Sequence, residues 1–336
     1  MGGDFLSRSF PFLRGLRPVQ KVLLFLAIFF SLLWLSQRSP RRFVPSKCPD
    51  RFAVFRRVVG SDLLDKFHDY NTCVYARTFK ASPEELWKQL IPVMDQCRKD
   101  LLLTDGSLEA FRSEDEIKYH ILPNEGSENG GCTVLTVGIG KDVKTEMGIR
   151  KRLRDIQWRC SFHGADPNAQ KNQEIFKGLG TFYNVVVGNG TRMAPKQSKL
   201  SAFLCFFRPS LYPYPIESSK LGYKTKNAPQ VELVDFFRKH VHSSPIVDQL
   251  LLTSELGMAS YFMEGSPLDE EGIEICQVNI DFHGSIDRRL FAKIVRRILR
   301  EHRWVLFKPL ISEHVRFFML NIQSPTCAER YIVDKF

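Results

Sequence analysis

The chain lacks the short signatures of several large enzyme classes. It has no Gly-x-Ser-x-Gly elbow, no His-Glu-x-x-His pair and no glycine loop ending in Gly-Lys-Ser/Thr. A serine hydrolase, a zincin and a P-loop nucleotidase therefore lack the strained nucleophile, the paired ligands and the phosphate cradle they respectively need. Eight cysteines are present, but no two stand as Cys-x-x-Cys, which removes the usual spacing of a structural zinc site. No repeat with a period of about 20–50 residues is visible, so a solenoid or propeller is excluded. Apolar residues are not scarce. Of 336 residues, 43% are hydrophobic and 25% charged, an ordinary globular composition that excludes a disordered chain, a fibre or a small disulfide knot. This length is near the upper end for a single hydrophobic core, which predicts one domain plus an appendage, or two small domains.

The net charge of +11 is unevenly placed: residues 1–51 hold nine basic side chains and two acids, carry +7, and leave +4 for the remainder. That basicity flanks an apolar run, so a membrane accounts for it better than a nucleic acid, and no nucleic-acid partner is expected. Residues 22–35 read VLLFLAIFFSLLWL, interrupted only by Ser31 and uncharged. With Ser36 and Gln37 the run approaches the roughly 17–25 residues of a spanning helix, and Lys21 and Arg38 can snorkel at its ends. The long basic lead and the lack of a small-x-small cleavage site predict an uncleaved signal anchor. The expected organisation is a basic cytoplasmic tail over 1–21, a transmembrane helix over 22–37, a stalk over 38–60, a helical segment over 61–131 and the main domain over 132–336. The body is expected in the lumen of the secretory pathway or outside the cell. All eight cysteines (Cys48, Cys73, Cys97, Cys132, Cys160, Cys205, Cys276, Cys327) follow the apolar run, and an even number suits an oxidising lumen, with the pairing left open. One sequon, Asn189-Gly190-Thr191, predicts a surface glycan.

Ser82-Pro83-Glu84-Glu85 is a helix start: the serine caps, the proline takes the first helical position, and the glutamate three on closes a capping box. Residues 124–131 (NEGSENGG) read as a loop. Strand and helix then alternate. Strands are predicted over 132–137, 158–162, 182–187, 248–252 and 273–282. Helices are predicted over 143–154, 167–177, 232–241 and 287–300. The last helix has an apolar stripe (Leu290, Phe291, Ile294, Val295, Ile298, Leu299) at 3.6-residue spacing, and its Arg288-Arg289 and Arg296-Arg297 read as a solvated face. Two closing strands, 304–307 and 315–322, leave no room for a helix between them and predict a hairpin. Alternation predicts a parallel sheet covered on both faces. The fold class is thus α/β: a Rossmann-like, seven-stranded, mostly parallel sheet with a terminal antiparallel hairpin, preceded by the helical segment and the transmembrane helix. Residues 189–229, with five prolines, interrupt the rhythm and predict a lid, an extra hairpin or disorder.

Three motifs bear on chemistry. In Val134-Leu135-Thr136-Val137-Gly138-Ile139-Gly140 a strand enters a glycine turn before a helix, which lets a ligand approach the backbone. A plain strand-to-helix turn gives the same pattern. Val143 stands where a third glycine of the dinucleotide fingerprint would be, which disfavours a nicotinamide cofactor. Asp166 follows Gly140 by 26 residues, near the interval at which such folds grip a ribose; it can also cap the helix opened by Pro167. In Cys276-Gln277-Val278-Asn279-Ile280-Asp281-Phe282-His283, alternation sets Gln277, Asn279, Asp281 and His283 on one strand face, where Asp281 and His283 can serve as base and orienter. Glu255, after the fourth strand, is either a buried acid or an exposed cap, and spacing does not decide. No metal site can be gathered from these residues.

Taken in order, the runs TVGIGKDVKTE, GADP, NVVVGNGT, CQVNIDFH and VRFFMLNI resemble those of the FkbM-type methyltransferase family, in a membrane-anchored animal branch, over about 60% of the chain. The resemblance implies S-adenosylmethionine as methyl donor and an acceptor oxygen on a hydroxylated small molecule or a glycan. It implies cofactor contacts at Gly138, Gly140 and Asp166, with Glu255, Asp281 and His283 at the catalytic end. The run after the fourth strand departs from the family's D-x-E-G-x-E: Thr253 replaces the first acid and Met258 the last. The expectation is a methyltransferase of the secretory lumen; the alternative is a binding protein on the same fold that has lost catalysis.

Overall fold

The computed structural model describes residues 60–113, 116–124, 132–140, 142–188, 228–241, 245–254, 256–282, 286–311 and 314–336. Two helices come first, α1 (Ser61–Thr78) and α2 (Pro83–Asp100), joined by the Cys73–Cys97 disulfide. At the start of α2 the Ser82 hydroxyl accepts from the Glu85 amide at 3.2 Å while the Glu85 carboxylate accepts from the Ser82 amide at 2.7 Å, the reciprocal box that satisfies two orphan donors. A hairpin follows, β1 (Leu108–Arg112) and β2 (Ile117–Ile121), its turn closed by the Ser113 amide on the Glu116 carbonyl. Next come β3 (Cys132–Val137), α3 (Lys144–Asp155), β4 (Cys160–Ala165), α4 (Ala169–Lys177) and β5 (Thr181–Tyr183). The short strands β6 (Val186–Gly188) and β7 (Gln230–Glu232) pair with each other in parallel, and α5 (Leu233–His240) follows. The remainder is β8 (Ile246–Ser254), a 3-10 turn over Leu256–Phe262, α6 (Pro267–Glu270), β9 (Glu274–Phe282), α7 (Arg288–Glu301), β10 (Trp304–Ile311), β11 (Val315–Asn321) and α8 (Pro325–Tyr331).

Seven strands form one sheet in the order β10-β11-β9-β8-β3-β4-β5. From β9 to β5 the pairs are parallel, whereas β11 runs antiparallel to both β9 and β10. Chain order reverses at β3, which leads to β4 on one side and has β8 on the other. A crevice at the carboxyl ends of the strands is expected at such a switch point. Strand periodicity divides the core in two. Val134, Phe162 and Leu251 pack with Ile149, Leu153 and Phe176 of α3 and α4. Leu135, Leu250, Leu252, Val278 and Ile280 face the other way, into a larger core with Phe236, Phe262, Phe291 and Val295. Burial on both sides explains why all six residues of β3 are buried and why the inner strands read as apolar runs.

The amino-terminal segment is fastened to this sheet by side chains that bond to backbone. On the α3 side, the Gln277 carboxamide accepts from the Ile121 amide at 2.8 Å and donates to the Ile121 carbonyl at 3.0 Å. The Asn279 carboxamide does the same with Tyr119, at 2.7 and 2.6 Å. His120, between them, meets the Gln249 side chain at 2.8 Å. At the sheet edge, Tyr70 donates to the Leu306 carbonyl and Asn71 to the Trp304 carbonyl, so α1 occupies acceptors that an edge strand otherwise offers to other chains. Asp248, fully buried, receives the Thr133 amide, the Arg330 guanidinium and the Tyr331 hydroxyl. With the Cys276–Cys327 disulfide this ties α8 beneath the sheet. A third disulfide, Cys132–Cys160, joins the first residues of β3 and β4. Cys48 and Cys205 lie outside the described residues.

The expected architecture is corrected in two respects. The transmembrane helix is not supported: no helix among the described residues is long and apolar enough to cross a membrane, and residues 22–37 lie outside them. The seven-stranded sheet is mixed through the expected closing hairpin, whose β11 inserts antiparallel between β9 and β10. The segment over 61–131 is not wholly helical, because β1 and β2 form a hairpin within it. In addition, the strand expected over 182–187 breaks at Asn184 into β5 and β6, since the Asn184 side chain turns to bond the Asp166 and Pro167 carbonyls.

Two outcomes follow from this docking. Gln277→Leu keeps the apolar volume but leaves the Ile121 amide and carbonyl unpaired, and is expected to cost about 2–4 kcal/mol in denaturant unfolding of the oxidised protein. Burial pushes His120 down to about 4, with its Gln249 bond only partly opposing, so the imidazole is neutral in the folded protein while the unfolded chain gains a proton below about 6.5. Stability is therefore expected to fall as pH drops from about 6.5 towards 4, by about 3 kcal/mol, and His120→Gln should flatten that part of the stability profile.

Candidate functional site

The carboxyl end of β3 opens into Gly138 (φ +80°) and Gly140 (φ +74°), both in the left-handed region that glycine favours. A Cβ on Gly138 would lie 3.0 Å from both the Cβ and the carbonyl oxygen of Thr253, whereas one on Gly140 would meet nothing within 4 Å. The first glycine thus packs against the end of β8, and the second faces open space. Asp166 is the first residue after β4 and is only 3% exposed. One of its carboxylate oxygens accepts from the Ile139 and Gly140 amides at 3.0 and 3.3 Å, and the other from the Asn168 amide at 2.7 Å. Burial raises its pKa, and these donors pull it back. The turn is therefore held from within by a carboxylate. In dinucleotide-binding folds the equivalent amides face a pyrophosphate; here an anion of the protein already satisfies two of them.

Below the turn lies a charged cluster. Glu146, in the first turn of α3, is 1% exposed and accepts from the Thr136 hydroxyl at 2.9 Å. Lys118 of β2 is buried and lies 2.6 Å from Glu116. Burial alone would lower the Lys118 pKa, but the charges of Glu146, Glu116 and Asp281 outweigh it and leave the ammonium raised. Burial raises the Glu146 carboxyl and the Lys118 charge opposes it. Asp281, 4% exposed on β9, is 2.6 Å from Arg316 on β11 and lies in register with Thr253 on β8. The hairpin, α3 and β9 thus bring opposite charges together under the carboxyl edge of the sheet.

The fate of each predicted residue can be stated. Gly138, Gly140 and Asp166 meet at the turn, with the Asp166 carboxylate directed at the loop's own amides. Asp281 lies at the same edge of the sheet, beside Arg316. Glu255 and His283 lie outside the described residues, as does the sequon at Asn189. Gln277 and Asn279 share a face with Asp281, but their amides hold β2 rather than line a crevice. Sequence reasoning missed Lys118, Glu146 and Arg316. Lys118 sits in a strand that turns two polar residues, Lys118 and His120, inward and leaves Ile117 exposed, which inverts the usual alternation. Glu146 has a weak signal, an acid in the first turn of a predicted helix. Among the described residues no group of three or more His, Cys, Asp or Glu is arranged to hold a metal ion. A cavity of about 360 Å³ lies elsewhere, at the amino end of β9, lined by Glu264, Asp269, Glu274, Arg303 and Gln323 among others, with Asp269 and Arg303 already paired through two 2.8 Å bonds.

No family model matches the chain and no curated protein matches it. Among solved structures it is similar to the crystal structure of an rRNA methylase from Escherichia coli, with 10% identity and a TM-score of 0.25 over 75% of each chain. The resemblance to FkbM-type methyltransferases thus meets only a weak structural neighbour, and a likeness this slight carries no weight for fold or function.

Lys118→Met leaves Glu146 buried without its compensating charge and is expected to cost about 3–5 kcal/mol at pH 7. Losing the ammonium raises the folded-state Glu146 pKa further above that of the unfolded chain. Its penalty is then full above the folded-state pKa and disappears below the unfolded one. Denaturation at pH 7 and at pH 4.5 should show the smaller difference from the parent protein at the lower pH.

Proposed function

We propose that the chain is an S-adenosylmethionine-dependent methyltransferase acting on an oxygen of a hydroxylated small molecule or a glycan. The observation that carries this reading is the Asp166 carboxylate on the Ile139 and Gly140 amides, together with the open space beside Gly140. A carboxylate there repels a dinucleotide's phosphates, whereas a phosphate-free nucleoside bearing a sulfonium charge suits it. The turn also lies at the carboxyl end of the strand where chain order reverses, the usual ligand position in open α/β sheets. Gly138, Gly140 and Asp166 would hold the cofactor, which supplies an electrophilic methyl group when bound. Asp281 is the proposed base for the acceptor hydroxyl, oriented by Arg316, and Glu255 and His283 have proposed roles at the same catalytic end. Alignment of the acceptor supplies the rest. Three disulfides support an oxidising compartment, the secretory lumen or the cell exterior, as the place of action.

One observation favours a second reading, a binding protein on the same fold. Thr253 packs on Gly138 where the resembling family carries an acid. Calorimetric titration of S-adenosylmethionine into the oxidised protein separates the two. The methyltransferase reading expects binding, at least tenfold weaker in Gly140→Ala, and no binding of reduced nicotinamide dinucleotide. No heat from folded protein would refute the cofactor assignment and favour the second reading.

A further inference from the structure

One helix among the described residues stands out for its positive charge. α7 carries five arginines and a lysine against one acid, Glu301, a net +5, whereas residues 52–336 together carry +4. No other described helix is as basic: α3 follows with a net +3. Residues 189–229, outside the described residues, hold seven bases against one acid. The helix buries Phe291, Ala292, Ile294, Val295, Ile298 and Leu299, which turns Arg289, Lys293, Arg297 and Arg300 outward, all exposed. Local partners account for only part of this charge. Arg288 lies 3.7 Å from Glu84 and over the Trp87 ring, and Arg297 lies 2.5 Å from Glu301. Arg296 donates through one guanidinium nitrogen to the Thr78 and Ala81 carbonyls, neutral acceptors that leave its charge unneutralised. Arg289, Lys293 and Arg300 make no ion pair among the described residues.

These four unneutralised cations, Arg289, Lys293, Arg296 and Arg300, are spaced by four, three and four residues. Such spacing puts them in one row along a helix face, about 16 Å long at 1.5 Å per residue. A row differs from a pocket in what it fits: a linear chain with anionic groups repeated along its length. We propose that this face of α7 docks a linear acidic glycan bearing sulfate or carboxylate groups. Guanidinium groups match such oxyanions with paired donors. The apolar residues of α7 point into the core, so the helix has no hydrophobic face to insert into a lipid surface. Nearby Phe79 is exposed but is a single ring, stacked on Tyr75. Three disulfides suit an oxidising compartment, where linear polyanions are glycans rather than nucleic acids. The proposal does not depend on the methyltransferase reading.

The test titrates a size-fractionated heparin oligosaccharide into the full-length protein over a range of salt concentrations. The triple variant Arg289→Gln, Lys293→Gln, Arg300→Gln removes exposed side chains without ion-pair partners and should retain the parent's thermal unfolding. It is expected to weaken binding at least tenfold at about 0.15 M salt and to lower the salt slope of log Kd by about 2, as loss of three contacts requires. Because residues 1–51 are also basic, a matched triple Arg8→Gln, Arg14→Gln, Arg17→Gln serves as comparator and should lose less than threefold. Unchanged binding in the α7 triple, or equal losses in the two triples, would overturn the proposal. Tighter binding to phosphatidylserine vesicles than to heparin, lost in the α7 triple, would overturn the glycan assignment.

Discussion

Two carboxamides on β9 hold the rest of the molecule in place. A glutamine or asparagine side chain carries the same donor and acceptor as a peptide unit, so Gln277 and Asn279 pair with Ile121 and Tyr119 as a neighbouring strand would. The partner backbone lies over the sheet face instead of at its edge. A buried network of this kind is stable only if every member is satisfied, and here each amide donates and accepts in turn. The hairpin thus fixed carries Lys118 and His120 into the interior on alternate residues. Lys118 in turn offsets the buried carboxylate of Glu146 at the start of the helix that follows the glycine turn. The geometry of the turn therefore depends on a strand from the amino-terminal segment, and the segment and sheet form one structural unit.

That dependence bears on what the turn can bind. Most strand-to-helix glycine turns at a switch point offer unpaired amides to an anion. This one is closed by Asp166, and its free surface is the open side of Gly140. The carboxylate disfavours phosphate there, as the proposed phosphate-free cofactor requires. Whether the site also performs chemistry depends on Asp281, whose partner Arg316 comes from β11, the strand that makes the sheet mixed. The antiparallel insertion is thus more than a topological detail, since it brings a cation beside the carboxylate proposed as base.

Local signals in the sequence were legible where one residue type has one physical use. Ser82 and Glu85 form the capping box that their spacing predicts, and the apolar stripe of α7 is buried as its period requires. The alternation of strand and helix beyond Cys132 is likewise visible in the elements from β3 to β11. The hairpin was not legible, because β2 turns Lys118 and His120 inward and leaves Ile117 exposed, the reverse of the usual alternation. The direction of Asp166 was not legible either. An acid one residue past a strand has the same spacing whether it faces a ribose or its own loop, and only the position of the Ile139 and Gly140 amides distinguishes the two. Gln277 and Asn279 were assigned to the correct strand face, but the strand that covers them lies some 160 residues earlier, beyond the reach of any local pattern.

The cross-links give the domain a directional stiffness. Cys132 and Cys160 join β3 and β4 at their first residues, and Cys276 leaves β9 near its start to meet Cys327. These covalent ties gather at the foot of the sheet, and among the described residues none crosses its carboxyl edge, where the glycine turn, Thr253 and Asp281 lie. A sheet stapled at one end behaves as a lever with a fixed root: thermal displacement grows with distance from the staples. The strand tips can then adjust to a guest by small rotations about the cross-linked base, while the register of the inner strands stays locked.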